Sequence, residues 1–301
     1  MPRYDPFELS DALPESIRVR LPEDLVVSGH NDPEILLLIR LLSGNLSVKF
    51  NGAKIPQRVN YFSPSLSSFG NKWGKDFSLL VGENIVAQDV ARYISRKKSV
   101  NKPFYREILF EALHFSVHKK RGSHTSAFIY IYRLLERVSY CFPLIYVSMT
   151  EDFKRTYGLI KSFFGDSKDK DELGFFKAFI NTVFKDDEIL STTVDFDFNL
   201  SGQTAESAAA MCAVVKNILG SELREEGLLG ESQISIRYEN VGRFIIALRN
   251  GFVHNLSRKD NLRVDRLKDS DNLFEVINDK CVYWISSILL AVITYNMSSN
   301  E

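Results

Sequence analysis

The sequence predicts a mainly α protein in two parts, and three observations carry that reading. From Pro103 onward, apolar residues recur three and four apart in long runs, the period of helices with one buried face. Before about residue 100 the apolar stretches are short and divided by Pro, Gly, Asn and Asp, which reads as strands and turns with two helices among them. With 45% apolar and 25% charged residues over 301 positions, the chain is globular and long enough to bury a sizeable core. The expected organisation is a mixed α/β region over 1–100, regulatory or partner-binding, followed by a helical bundle over 101–301 with an insert near 186–203.

In the first part, IRVRL (Ile17 to Leu21), DLVVS, LSVKF (Leu46 to Phe50) and FSLLV (Phe77 to Val81) read as strands, and EILLLIRLL and AQDVARYISRKK as helices. Pro103 suits a first helical turn, Phe104, Ile108, Leu109, Ala112 and Phe115 give that helix an apolar stripe, and Gly122 ends it. A packing helix follows over His124 to Ser148, with Ser123 or Thr125 to cap it. Phe128, Leu135 and Phe142 repeat on it at seven-residue spacing, and Pro143 should kink or interrupt it. Residues 151–185 continue helical around a solvated loop, GDSKDKDE. Val194, Phe196 and Phe198 alternate with Asp195, Asp197 and Asn199, the period of a short strand. An Ala-rich helix over Thr204 to Leu219, a polar loop, a helix ending near Asn255 and a long helix from about Asp271 complete the chain.

The chemistry concentrates in RFIIALRNGFVHN, Arg243 to Asn255. Val241, Phe244, Ile245, Leu248 and Phe252 form one buried face, which leaves Arg249, Asn250 and His254 off it at one end of the helix. His carries a proton near neutral pH, and the guanidinium of Arg forks onto phosphate oxygens. Such a pair suits metal-free RNA cleavage, where a proton leaves the 2′-hydroxyl, another reaches the departing 5′ oxygen, and positive charge holds the phosphorane.

The spacing Arg249-Asn250-x-x-x-His254 resembles the active-site motif of the HEPN family (higher eukaryotes and prokaryotes nucleotide-binding): Arg, four to six residues, His, often with a polar residue after the Arg. YRLLERVSY is similar to the early long helix that precedes the motif helix in that family. The resemblance implies a HEPN-like helical bundle and an endoribonuclease of the antiviral abortive-infection or toxin-antitoxin kind. His254 would then transfer protons, Arg249 clamp the transition state, and Asn250 orient phosphate or shape the helix end. It also implies an RNA substrate, no cofactor, a homodimer through the motif helix, and a regulatory or antitoxin protein as partner. Glu136 either holds Arg249 or His254 or pairs with Arg133 on an exposed face. Some HEPN-like domains only bind RNA or nucleotides or serve as interaction modules, which is the alternative function.

Other features carry blander readings. Net charge is formally zero, so any nucleic-acid contact is a local patch. No Walker or dinucleotide phosphate loop occurs. Cys141, Cys212 and Cys281 read as buried reduced thiols of a cytoplasmic protein, and MPRYDPFELS does not read as a secretory signal. CVYWISSILLAVITYNM reads as a buried core helix and not a membrane span. His114 with His118 reads as a packing pair, Asp195 with Asp197 as solvent-facing carboxylates, and Arg96, Lys97 and Lys98 as a solvated helix end, so no metal site is expected.

Overall fold

The computed structural model describes residues 4–62, 81, 85–148, 152–164, 172–185, 188–219, 231–253 and 270–298. Among the described residues, the chain is mainly helical with two small sheets, and it divides into two compact units, residues 1–121 with 285–301, and residues 122–284. The division falls between Arg121 and Gly122, whereas the sequence changes character near 100, and the last helix contributes to both units.

In the first unit, β1 (Phe7–Asp11), β2 (Leu46–Phe50) and β3 (Ala53–Ile55) form an antiparallel sheet in that order. Asn51 and Gly52 join β2 to β3 with φ of 48° and 78°, the two left-handed positions of a tight hairpin turn. LSVKF is thus a strand, but the first strand is FELSD, not IRVRL. Glu15–Arg18 instead makes the short helix α1, started by Pro14, whose carbonyl accepts from the N–H groups of Ile17 and Arg18 at 2.9 and 3.0 Å. DLVVS likewise opens in a 3-10 turn, Glu23–Leu25, and the N–H of Val27 bonds the Asp11 carboxylate at 3.1 Å instead of a neighbouring strand. FSLLV lies outside the described residues except for Val81.

EILLLIRLL forms α2 (Glu34–Leu42), buried on every side, and α3 (Ala87–Lys97) and α4 (Lys102–Lys120) pack near it. Gly44 closes the turn after α2 at φ +75°, where a Cβ would stand 2.6 Å from the Arg58 carbonyl carbon, so only glycine fits. Burial of α2 encloses Arg40, whose guanidinium meets the Asp11 carboxylate, with side-chain exposures of 0% and 3%. Burial lowers the pKa of Arg40, and the charge of Asp11 opposes that shift.

The second unit is built on α5 (His124–Val147), α6 (Phe153–Phe164) and α7 (Glu172–Val183). Two strands, β4 (Thr193–Asp197) and β5 (Gln233–Arg237), pair antiparallel on either side of α8 (Ala205–Leu219) in sequence. α9 (Val241–Val253) and the beginning of α10 (Ser270–Ser298) complete the unit. β4 is the strand expected in the insert, while β5 arises in what read as a polar loop. Pro143 does not interrupt α5, because buried Phe142, Ile145, Tyr146 and Val147 hold the turn on both sides of the missing N–H. Ser123 makes no side-chain cap; the Thr125 N–H instead donates to the Asp271 carboxylate of α10 at 2.6 Å. The apolar run in α10 is long enough to cross a membrane, yet 61% of that window is buried, and Trp284 and Ile288 are fully enclosed.

The buried Asp11–Arg40 pair gives the first prediction. Asp11→Ala removes the paired carboxylate of a buried guanidinium and should cost about 3–5 kcal/mol in urea unfolding, while the double change Asp11→Leu with Arg40→Met should recover only part of that loss, since the Leu13 and Val27 N–H groups stay without their acceptor.

Candidate functional site

α9 is positioned at its start and left open at its end. Val241, Phe244, Ile245 and Leu248 have no solvent exposure, so the apolar face predicted for this helix is the buried one. Tyr238 leads into it through a 3-10 turn, and its carbonyl accepts the indole N–H of Trp284 at 2.9 Å. Gly242 lies so close to that indole that a Cβ would meet Cη2 at 3.2 Å. Lys177 of α7 bonds the Asn240 side-chain oxygen at 3.0 Å and pairs with Glu239 at 3.4 Å, fixing the same turn.

About two turns on, the surroundings change. Arg249 is half-buried and Asn250 exposed. The guanidinium carbon of Arg249 lies 4.9 Å from the Tyr132 ring centroid on α5, and Nη1 donates to Asn250 Oδ1 at 3.1 Å. Gly251 faces α8, where a Cβ would stand 3.3 Å from the Ile218 side chain, so the turn that carries Arg249 and Asn250 sits tightly on its neighbour. Phe252 packs edge-on to Phe274 of α10 at 5.6 Å, and Phe274 stacks on Phe128 of α5 at 4.5 Å.

The structure therefore brings Arg249 and Asn250 together, and it supplies Tyr132 where the sequence suggested Glu136. Glu136 is exposed and, among the described residues, ion-pairs with neither Arg249 nor Arg133. Tyr132 is one turn earlier on that helix, so the signal was present in YRLLERVSY but the carboxylate was the more obvious partner for a cation. His254 and Leu256 lie outside the described residues. Phe252, expected on the buried face of this helix, is half-buried and packs within the chain.

The remaining candidates resolve into structural roles. His114 stands edge-on to Phe7 and Phe50 at 5.0 and 6.2 Å, and burial with the charge of Arg121 lowers the pKa of His118. Asp195 and Asp197 share the exposed face of β4 as expected. Asp195 accepts from Thr193 and Ser235, and the Asn199 N–H, the Gln233 amide and the Asn199 amide hold Asp197 below the usual carboxylate range. Among the described residues, no group of three or more His, Cys, Asp or Glu is placed to hold a metal. Cys212 and Cys281 are buried, with burial pushing the Cys281 thiol up; Cys141 is only half-buried because it lies at the edge of the covered face of α5. No protein-family model, curated protein or solved structure matches the chain.

The aromatic seat of the last turn of α9 is testable by itself. Phe274→Ala removes the ring that Phe252 and Phe128 share and should cost about 3–5 kcal/mol in thermal or urea unfolding. Amide exchange of residues 249–252 should accelerate more than that of 241–245, which Trp284 still holds.

Proposed function

We propose that this chain is a metal-independent endoribonuclease of a prokaryotic antiviral or toxin-antitoxin system, with a HEPN-like helical domain and a site built on Arg249 and His254. The observation that carries the reading is the setting of Arg249: a half-buried cation at the outer end of a rigidly held helix, laid on the face of Tyr132 and bonded to Asn250. A guanidinium seated on a ring loses few conformations when it binds, which suits a phosphate clamp.

In this mechanism the RNA 2′-hydroxyl attacks the adjacent phosphorus. His254 accepts its proton, Arg249 holds the phosphorane oxygens, and the 5′ oxygen leaves with a proton, so the products are a 2′,3′-cyclic phosphate and a 5′-hydroxyl. The Asn250 carbonyl receives the Arg249 N–H, which turns its amide N–H groups toward a phosphate oxygen. Glu136, on the helix that carries Tyr132, orients the ring of His254. One His cannot at once be base and acid on opposite sides of a phosphate, so a second copy related by a two-fold axis beside the motif supplies the other. The first unit receives a trigger or antitoxin, and the protein works in the cytoplasm.

Arg249→Ala and His254→Ala should each lower cleavage of labelled RNA by at least about 100-fold without shifting thermal unfolding, and cleavage by the unmutated protein should persist in EDTA and leave cyclic phosphate ends. Unchanged cleavage in both variants defeats the proposal. So does full activity of a monomer across a dilution series followed by light scattering, which would contradict the composite site.

A further inference from the structure

Helix α6 is anchored by one edge and displays the other. Phe163 is completely buried, edge-on to Phe175 and Phe179 of α7 at 5.6 and 5.9 Å. Away from it, Phe153 and Tyr157 are 78% and 69% exposed, values far above those of a side chain that merely closes a core. At 3.6 residues per turn these two lie about 40° apart around the helix and about 6 Å apart along it. Lys154 and Lys161 form a second line beside them, separated by about 10 Å along the axis, while Arg155 lies about 160° round the helix from both rings. All three cations are exposed, and among the described residues none is in an ion pair. The helix itself holds no acid, and Asp152 before it is occupied by the Lys154 and Arg155 N–H groups at 2.8 and 3.4 Å. Among the described residues, these cations stand beside a row of open rings.

We infer that the exposed face of α6 binds single-stranded RNA, with Phe153 and Tyr157 stacking bases and Lys154 and Lys161 meeting phosphates. This deepens the ribonuclease reading by giving its substrate a docking surface, and rests on that reading for the choice of RNA. The ring spacing matches successive bases of an extended strand, and the cation row runs alongside, as in surfaces that grip single strands without reading sequence. Basic-aromatic helices also lie on anionic lipid, but that needs a wide apolar stripe. Among the described side chains, the row is Phe153, Tyr157 and Ile160, the last only 36% exposed. α7 packs on α6 and on α9, so the same helix supports the proposed docking face and the proposed cleavage site.

The test uses the full chain carrying His254→Ala, which removes the proton carrier but keeps the Arg249 clamp, and a labelled oligouridylate of about 12 nucleotides read by fluorescence anisotropy. Adding Phe153→Ala with Tyr157→Ala should raise Kd at least about tenfold, Tyr157→Leu should weaken binding, and Tyr157→Phe should preserve it, because stacking needs the ring. Replacing Lys154 and Lys161 by Gln should lower affinity and flatten the salt dependence by about 1.4 in log–log slope. Unchanged Kd in both sets, no RNA binding by the parent, or loss of phosphatidylserine-vesicle binding with RNA affinity intact would each overturn the inference. RNA binding that depends on α6 in a protein that cuts nothing would support it while defeating the ribonuclease proposal.

Discussion

Everything around the candidate site depends on where Trp284 is buried. The indole is fully enclosed, its N–H can be satisfied only by a nearby acceptor, and the Tyr238 carbonyl provides it at 2.9 Å. That bond fixes the turn that launches α9, and Gly242 lets the helix approach the ring without a Cβ in the way. Phe176 meets the same indole edge-on at 6.0 Å and Tyr238 lies at 6.1 Å, so α7 and the start of α9 share one aromatic centre with α10. An unpaired indole N–H in this position would cost about 1–3 kcal/mol, enough to make the register of α9 a matter of hydrogen bonding as well as packing.

The helix held so firmly at one end carries its polar residues at the other. Arg249 is neither in the core nor simply solvated: the Tyr132 ring and the Asn250 oxygen restrict the side chain while its charge stays within reach of solvent. Cation–π contacts in such half-exposed positions contribute about 0.5–1 kcal/mol, little for stability but useful for holding a geometry. Phe128, Phe274 and Phe252 close the packing beneath, so the last turn of α9 is supported by α5 and α10 together. The N-terminus of α5 depends on α10 as well, through Asp271 to the Thr125 N–H and the Asn278 amide to the His124 carbonyl at 2.9 Å.

The first unit is organised by a different constraint. α2 is apolar on all sides and therefore central, yet it carries Arg40, and the cost of burying that cation is met by Asp11 at the end of β1. Asp11 also accepts the N–H groups of Leu13 at 2.7 Å and Val27 at 3.1 Å, so one carboxylate binds the strand end, the central helix and the segment between them. The stretch between them forms no strand: the N–H groups of residues 17–21 bond carbonyls three or four residues back, in helical turns.

Patterns local to the chain settled much of this protein. The three- and four-residue period of Phe244, Ile245 and Leu248 was enough to identify the buried face of α9 and to place Arg249 and Asn250 off it, because a helix turns at a fixed angle per residue. The alternation of Val194, Phe196 and Phe198 identified β4 for the same reason, and Asn51-Gly52 carried a hairpin signal that local backbone preference alone explains. What sequence could not decide were contacts between residues far apart in the chain. IRVRL has the alternation of a strand, but pairing needs a free partner edge, and Pro14 and Asp11 direct the backbone elsewhere. β5 became a strand because β4 offered one, placing Ser235 opposite Asp195. Tyr132 came to face Arg249 because the rotation of α5 against α9 is set by the packing of whole faces, which no local pattern encodes.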